Sequence, residues 1–423
     1  MSTTSIKKDD FVVNFKENEH ENFLDMVREW GKETRFVEVS AKDISFAPLS
    51  TLQPGEILGG QEVYDDSSRA DGLPVAALLP SGETVCLRPY IYKDVKQHHR
   101  DNAAILGDMV RANAYDSWCE HINLGRKFLK KTLLIMLRGC KASGWSSEFN
   151  CNRSELEQVT FVEEALKERF PNVKFSSGEI SHYFTMAKYV LDCDFSSFNA
   201  ATSMEPHVVS AYEDAWESGG GDVKELRKAV PIATFITGES GLTAITLGIG
   251  LLFPDKTFVP LGKSLSVTHR GSDEKVWGRF ELMPDNIAVL YQKGLTGLAA
   301  LSERMIRHPY SCATHVAKLF QGICSADALE EFLEDFEVIY PPEDTNVTCQ
   351  AIHIFNELND ILQRKAGEQS AIKRLRNTEV LAQLVTANWD NFDVAIPASV
   401  GKRKSIASSA SSSFDLDWLS DTI

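Results

Sequence analysis

The chain has 423 residues, of which 43% are hydrophobic and 25% charged, values ordinary for a globular protein with ample material for a core. That length is a prior for two or three domains or one large two-lobed body. A formal net charge of −16 and a pI near 5.2 give no compositional reason to suspect a nucleic-acid binder, although the distribution of charge matters more than its sum.

Residues 1–20 are polar and mixed in charge, with one β-like patch at Phe11–Phe15. They read as a flexible arm able to add as a strand to a partner, or as a disordered terminus. From Glu21 to about Arg88, segments such as "RFVEV" and "DGLPVAALLPSGETVCLRP" are punctuated by Pro and Gly, which predicts short strands and loops. From about Lys93 helical spacing dominates, over 100–120, 124–141, 155–170, 181–193, 206–217, 285–306, 311–323, 326–336 and 350–387. "ESGGGDV" (Glu217–Val223) is a glycine loop suited to a lobe boundary. The expected organisation is an exchange arm over 1–20, an N-terminal lobe over 21–222, a C-terminal lobe over 223–395, and a disordered serine-rich tail over 396–423.

The eight cysteines stand singly and form no C-x-x-C pair, so neither a zinc site nor a thioredoxin motif is suggested. Scattered thiols fit a reducing compartment. The N-terminus lacks an apolar signal core. The longest apolar run, Ala244–Phe253, falls well short of the roughly 20 residues a membrane helix needs. A soluble intracellular protein without membrane insertion is expected. "LGKS" (Leu261–Ser264) is half of a phosphate-binding loop, but Thr257 stands where the motif needs its first glycine. "GESG" (Gly238–Gly241) lacks the spacing of a nucleophile elbow. No spacing singles out an acid/base pair, and the expectation is a non-enzyme without cofactor or metal.

One window inverts the acidic balance. His121–Lys141, "HINLGRKFLKKTLLIMLRGCK", holds six Lys or Arg and no Asp or Glu. Wound at about 100° per residue, Lys127, Lys130, Lys131, Arg138 and Lys141 gather on one helical face, while Leu129, Leu133 and Met136 fall opposite and bury. A solvated face would interleave acids, so the stripe points to a polyanion such as a nucleic-acid backbone. A second basic region carries Lys263, Arg270, Lys275 and Arg279, with Trp277 available for stacking and Asp273 and Glu274 diluting it. A third, "IKRLRN", carries Lys373, Arg374 and Arg376. In "MIRHPYSCATHVAKLF" (Met305–Phe320), Arg307 precedes a His-Pro-Tyr-Ser corner and a helix bearing Tyr310 and Lys318. Pro309 fixes its own φ and biases His308 away from helix, holding Arg307 at the helix mouth, aimed at a phosphate.

These segments resemble the rhabdovirus-type nucleoproteins, the nucleocapsid proteins of non-segmented negative-strand RNA viruses. "PHVVSAYEDA" (Pro206–Ala215) is similar to a V-V-x-A-Y-E-D segment of lyssavirus nucleoproteins. "HYFTMAKYVLDCDFSSF" before it and "IATFITG" after it also fit. "YQKGLTGL" followed by Arg307 resembles the family's G-L pair and the basic residue before S-P-Y-S-S, with His308 and Cys312 replacing the flanking serines. The matching stretches lie mainly over 180–240 and 285–322.

The resemblance implies a mainly α, two-lobed fold with some short strands near the N-terminus and single-stranded RNA clamped in a basic cleft between the lobes. It implies polymerisation through the N-terminal arm and a C-lobe loop into a helical nucleocapsid that serves as template for transcription and replication. Viral phosphoprotein, polymerase complex and matrix protein would be its partners, in the virion and the host cytoplasm. Outside the resemblance, the tail offers Lys402-Arg403-Lys404 as a weak nuclear address, or its serines as phosphorylation sites. The RNA-binding set would be Arg126, Lys127, Lys130, Lys131, Arg138, Lys263, Arg270, Lys275, Arg279, Arg307, Tyr310, Lys318, Arg374 and Arg376. The rival readings are a self-assembling coat or scaffold protein without an RNA cleft, and a cellular enzyme with an unrecognised site.

Overall fold

The computed structural model describes residues 12–69, 74–88, 109, 112–126, 132–147, 153–170, 172–218, 221–238, 244–269, 271–342, 344, 346–369 and 371–395. In chain order these form β1 (Val12–Lys16), α1 (His20–Glu33), β2 (Thr34–Ser40), β3 (Ser45–Pro48), α2 (Gly60–Arg69), β4 (Val75–Leu78), β5 (Thr84–Leu87), α3 (Tyr115–Arg126), β6 (Thr132–Arg138) and β7 (Lys141–Ser147). There follow α4 (Glu155–Arg169), β8 (Lys174–Ser181), β9 (Thr185–Val190), α5 (Phe195–Ala201), α6 (Pro206–Ser218), α7 (Val223–Lys228), β10 (Val230–Thr237), β11 (Ile245–Leu252), β12 (Phe258–Pro260) and β13 (Leu265–Val267). The remainder is α8 (Asp273–Phe280), α9 (Ile287–Glu303), β14 (Met305–Ile306), α10 (Pro309–Lys318), α11 (Ala326–Ile339), β15 (Cys349–Gln350), α12 (Ala351–Arg364) and α13 (Ala371–Leu384). Two compact units divide the chain. The first is Met1–Thr202, Lys228–Leu252 and Ser264–Tyr291; the second is Ser203–Arg227, Phe253–Lys263 and Gln292–Ile423.

Among the described residues helix accounts for 52% and strand for 24%, so the fold is mixed α/β and the expectation of a mainly α chain is overturned. Much of the difference lies in the first unit, which holds two large sheets. One has the order β2-β6-β7-β5-β4-β3, antiparallel except for the parallel β5–β7 pair. Leu133, Ile135 and Leu137 of β6 pack there with Phe46, Trp118 and Trp145. Met136, on the opposite face of the strand, is buried too. That double burial explains the misreading of 124–141 as one helix. A strand covered on both sides is apolar at every position, so "LLIML" satisfies a 3.6-residue period as readily as a 2-residue one. Helix α3 ends at Arg126, and β6 has begun by Thr132.

The outer edge of β3 is closed by a side chain. The Phe46 N–H donates to Asn123 Oδ1 at 2.9 Å, and Asn123 Nδ2 donates to the Phe46 carbonyl at 2.8 Å. One amide on α3 thus satisfies both main-chain groups of an edge residue.

The second sheet runs β1-β8-β9-β10-β11, all antiparallel, with β13 also on β11. In β9 Thr185, Ala187 and Tyr189 are buried, and Met186, Lys188 and Val190 are half-buried. That period of 2 corrects the helix expected over 181–193. Of the arm expected over 1–20, Val12–Lys16 adds to β8 of its own chain, with Phe15 facing Gly178. Phe15 is buried and meets Phe23 of α1 edge-on at 5.5 Å. Phe23, Val27 and Trp30, one apolar stripe of α1, are all buried, and His20 Nε2 lies 2.8 Å from Glu163 Oε2 on α4. Residues 1–11 and the 396–423 tail lie outside the described residues.

The second unit is mostly helical. Helix α10 packs on α11, α11 on α12 and α12 on α13, while β14 and β15 form a short ladder. The helix expected over 350–387 is two, interrupted by a single 3-10 turn at Ala366–Glu368. In β12, Gln363 Oε1 accepts from the Phe258 N–H at 2.9 Å, and the Phe258 carbonyl accepts from Gln363 and Asn359 at 2.7 and 3.1 Å.

Gly178 gives a direct check on the seating of β1 and α1. A Cβ there would come within 2.5 Å of the Phe23 ring and 3.0 Å of Phe175. Gly178→Ala should cost about 1–3 kcal/mol by overpacking, read by urea unfolding. A change within about 0.5 kcal/mol would show that Phe23 does not sit over Gly178.

Candidate nucleic-acid interface

The corner at Arg307 is assembled from three stretches of the second unit. Helix α9 ends at Glu303, Arg304 forms an ion pair with Asp390, and the Arg304 carbonyl accepts from the Ala351 N–H at 2.8 Å. Two residues of β14 follow, with Ile306 registered against Cys349. The chain then turns. His308 adopts φ −126°, ψ 70°, outside the helical region as expected of a residue before proline, and Pro309 opens α10 at its first position.

What holds the turn is a carboxylate 85 residues away in sequence from His308. Asp393 accepts the backbone N–H of Arg307 at 3.0 and 3.1 Å and that of His308 at 2.9 Å. Asp393 is itself fixed from behind. Trp389 is 3% exposed and donates its indole N–H to the Leu384 carbonyl at 2.9 Å. Phe392 is buried edge-on to Trp389, and its carbonyl lies 3.0 Å from His315 Nδ1 on α10. Cys312 and Cys349 are buried close by. Burial pushes the Cys349 thiol up to about 12 and raises Cys312 further, with the Asp393 charge adding to both.

The Arg307 side chain is exposed and forms no ion pair with any described residue. Tyr310 is half-buried on the first turn of α10, with its carbonyl accepting from Thr314 at 2.8 Å, and Lys318 is exposed on the last. On α13, Arg374 and Arg376 are half-buried, and Arg374 donates to the Gln369 carbonyl at 3.0 Å. Lys263 is exposed beyond β12.

In the first unit Lys275 and Arg279 are exposed on α8. Trp277 between them is not available for stacking. The Arg153 guanidinium lies 3.9 Å from its ring centroid, held by Asp273 at 2.9 Å, and Phe161 and Phe280 pack on the same ring at 5.4 and 5.0 Å. Arg126 ends α3. Lys127, Lys130, Lys131 and Arg270 lie outside the described residues.

Arg138 and Lys141 leave the basic stripe altogether. Arg138 is 1% exposed at the end of β6. It donates to Glu155 at 3.2 Å and to the Thr34 hydroxyl at 3.0 Å, and it lies 4.8 Å from the Trp30 ring centroid. Glu155 also accepts from the Thr185 hydroxyl at 2.5 Å. Lys141 is buried against Asp66 at 2.5 Å. The helical wheel failed for these two because they belong to strands, where the side-chain period is 2.

Asp393 was not singled out in the sequence, and no local pattern would have found it, since its partners are remote and its neighbours are ordinary polar and aromatic residues. Among the described residues no group of three or more His, Cys, Asp or Glu is placed to hold a metal, and no helix is long and apolar enough to cross a membrane. No family model, curated protein or solved structure matches the chain.

Removing one member of a buried ion pair strands the other charge. Arg138→Ala and Glu155→Ala should each lower stability by about 3–5 kcal/mol, read by urea unfolding, whereas replacing both by methionine should cost less than either. If the single variants unfold within about 1 kcal/mol of wild type, Arg138 is not a core residue and returns to the candidate interface.

Proposed function

We propose that the chain is a viral nucleoprotein that encapsidates single-stranded RNA and polymerises into a helical nucleocapsid, the template for transcription and replication. The observation that carries the reading is Arg307, a solvent-facing guanidinium without a described carboxylate partner on a corner pinned through its own backbone. A cation held this way meets a phosphate without first ordering its main chain. The order of the motifs, from "PHVVSAYEDA" through "IATFITG" and "YQKGLTGL" to Arg307, supports it.

Several motif residues support the fold rather than contact a ligand. Val208, Tyr212 and Ala215 are the buried side of α6. "IATFITG" contributes most of β10. In "YQKGLTGL" Gly294 allows α9 to approach Leu261, whose carbonyl would lie 2.3 Å from a Cβ. The remaining contacts of the interface are assigned by chemistry. Lys263, Lys275, Arg279 and Lys318 are exposed cations. Arg126, Lys127, Lys130 and Lys131 close the acid-free stretch between α3 and β6, and Arg270 lies in the basic stretch before α8. Tyr310 offers a ring for a base, and Arg374 and Arg376 offer partly buried guanidinium groups. Such binding is indifferent to sequence, since it rests on phosphates and stacking.

In the same reading the chain is not an enzyme and uses no cofactor. It self-associates through residues at its N-terminus and a loop in its C-terminal half. A phosphoprotein, the polymerase complex and a matrix protein are its partners, in the virion and host cytoplasm, with entry to the host nucleus through Lys402-Arg403-Lys404.

The purified protein should carry nuclease-resistant RNA, seen as a nucleic-acid-like 260/280 absorbance ratio, and form rings or filaments by electron microscopy. Protein free of nucleic acid that assembles equally well would favour a scaffold instead. Arg307→Ala should weaken binding of all RNA sequences alike and reduce the salt slope by about 0.7, one single-strand phosphate contact. Changing Lys127, Lys130 and Lys131 together to Glu should abolish binding while circular dichroism stays unchanged. Fluorescence polarisation of a labelled oligouridylate across a salt series reads both. A folded triple variant with unchanged affinity and slope would remove that segment from the interface.

A further inference from the structure

The carboxylate at the Arg307 corner needs an explanation under the RNA-binding reading, on which this inference rests. A negative charge beside a phosphate-binding guanidinium opposes the ligand. It is nevertheless built in firmly. Asp393 Oδ1 accepts both the Arg307 and the His308 amides, and Oδ2 accepts the Arg307 amide as well. The segment behind it cannot swing away, because Trp389 and Phe392 are buried, the Asp393 N–H donates to the Trp389 carbonyl at 3.1 Å, and Asp390 is paired with Arg304.

These two amides lie just outside α10, where neither the β14–β15 ladder nor the helix supplies an acceptor, and an X-Pro step removes the next donor. Without Asp393 the Arg307 and His308 amides would lose their acceptor, and the corner would be held only through its chain neighbours, the two-residue β14 before it and α10 after it, whose Cys312 N–H donates to the His308 carbonyl at 2.8 Å. We infer that Asp393 is the positioning residue of the interface. It fixes the Arg307 backbone so that the guanidinium stands at one place on the surface, and its hydrogen-bond acceptance, not its charge, is what the site uses. The competing possibility is that the carboxylate occupies an anion site which RNA phosphate must win from it. The two make opposite predictions for the same substitutions.

The test uses the full chain and a labelled oligouridylate. Asp393→Ala should weaken binding about fivefold, the worth of an ordinary hydrogen-bonded contact, even though a negative charge is removed. Asp393→Asn keeps an acceptor for the amides and should bind within about twofold of wild type. The double variant Arg307→Ala/Asp393→Ala should bind no more weakly than Arg307→Ala alone, because one side chain acts through the other. Amide hydrogen exchange gives a readout that needs no RNA: the 307 and 308 amides should be protected in the wild type, retained in Asp393→Asn and lost in Asp393→Ala.

Tighter RNA binding by Asp393→Ala, or binding unchanged from wild type, overturns the positioning role. So does unprotected exchange at 307 and 308 in the wild-type protein, which decides the matter even if Asp393→Ala does not fold. An Arg307→Ala protein that binds RNA like wild type instead overturns the RNA reading of this corner, whatever Asp393 does.

Discussion

A guanidinium and a carboxylate taken out of water together set a constraint on which much of the first unit depends. Arg138 closes β6 and Glu155 opens α4, and burying them costs several kcal/mol per ion unless each donor and acceptor is answered. The answers come from Thr34 at the start of β2, Trp30 of α1 and Thr185 at the start of β9. One turn along α4, Gln158 accepts from the Thr237 hydroxyl at 2.6 Å. Thr185 and Thr237 stand opposite each other on β9 and β10. A slip in either strand would therefore leave a buried charge or amide unanswered. Glu155 also sits in the first turn of α4, where the helix dipole favours a negative charge, and Ser154 with Glu157 forms a capping box that starts the helix there. The ion pair thereby fixes where one helix begins and how two sheets register beneath it.

Helices with one buried stripe were readable from residue spacing, and α4, α6, α9 and α11 lie where that spacing put them, whereas α10 begins at Pro309 and ends at Lys318, short of the expected 323. Strands buried on both faces were not. In β6 nothing polar interrupts the run until Arg138, and Arg138 is itself buried, so the pattern that marks an exposed face never appears. In β9 the alternation is genuine, yet Lys188 is the only charged residue to mark it, and the half-buried Met186 and Val190 blur it. Charge misled in the same way. A lysine or arginine in sequence is presumed wet, but Arg138 and Lys141 are among the largest fully buried side chains. The information that decides their fate lies in Glu155 and Asp66, one of them 75 residues distant.

The Arg307 corner divides along the same line. Its local half, a proline at the first helical position and a preceding residue driven out of helix, follows from two residues and needs no tertiary information. Its remote half, the Asp393 carboxylate, depends on where the last described segment is laid down, and Trp389 and Phe392 decide that by their burial. Sequence can thus nominate a cation for a site well before it can say what aims it.

The amide of Asn123 deserves to be seen from outside the molecule. A terminal strand with bare N–H and C=O groups is a template on which any extended chain can grow, and copies crowded side by side make that growth easy. At Phe46, both groups are already taken by a side chain of the same fold. The lateral border at β3 is therefore inert, and a neighbouring copy gains nothing by stitching its own backbone there. At Phe46 this border is spared the registerless zippering by which exposed strand edges grow into amyloid.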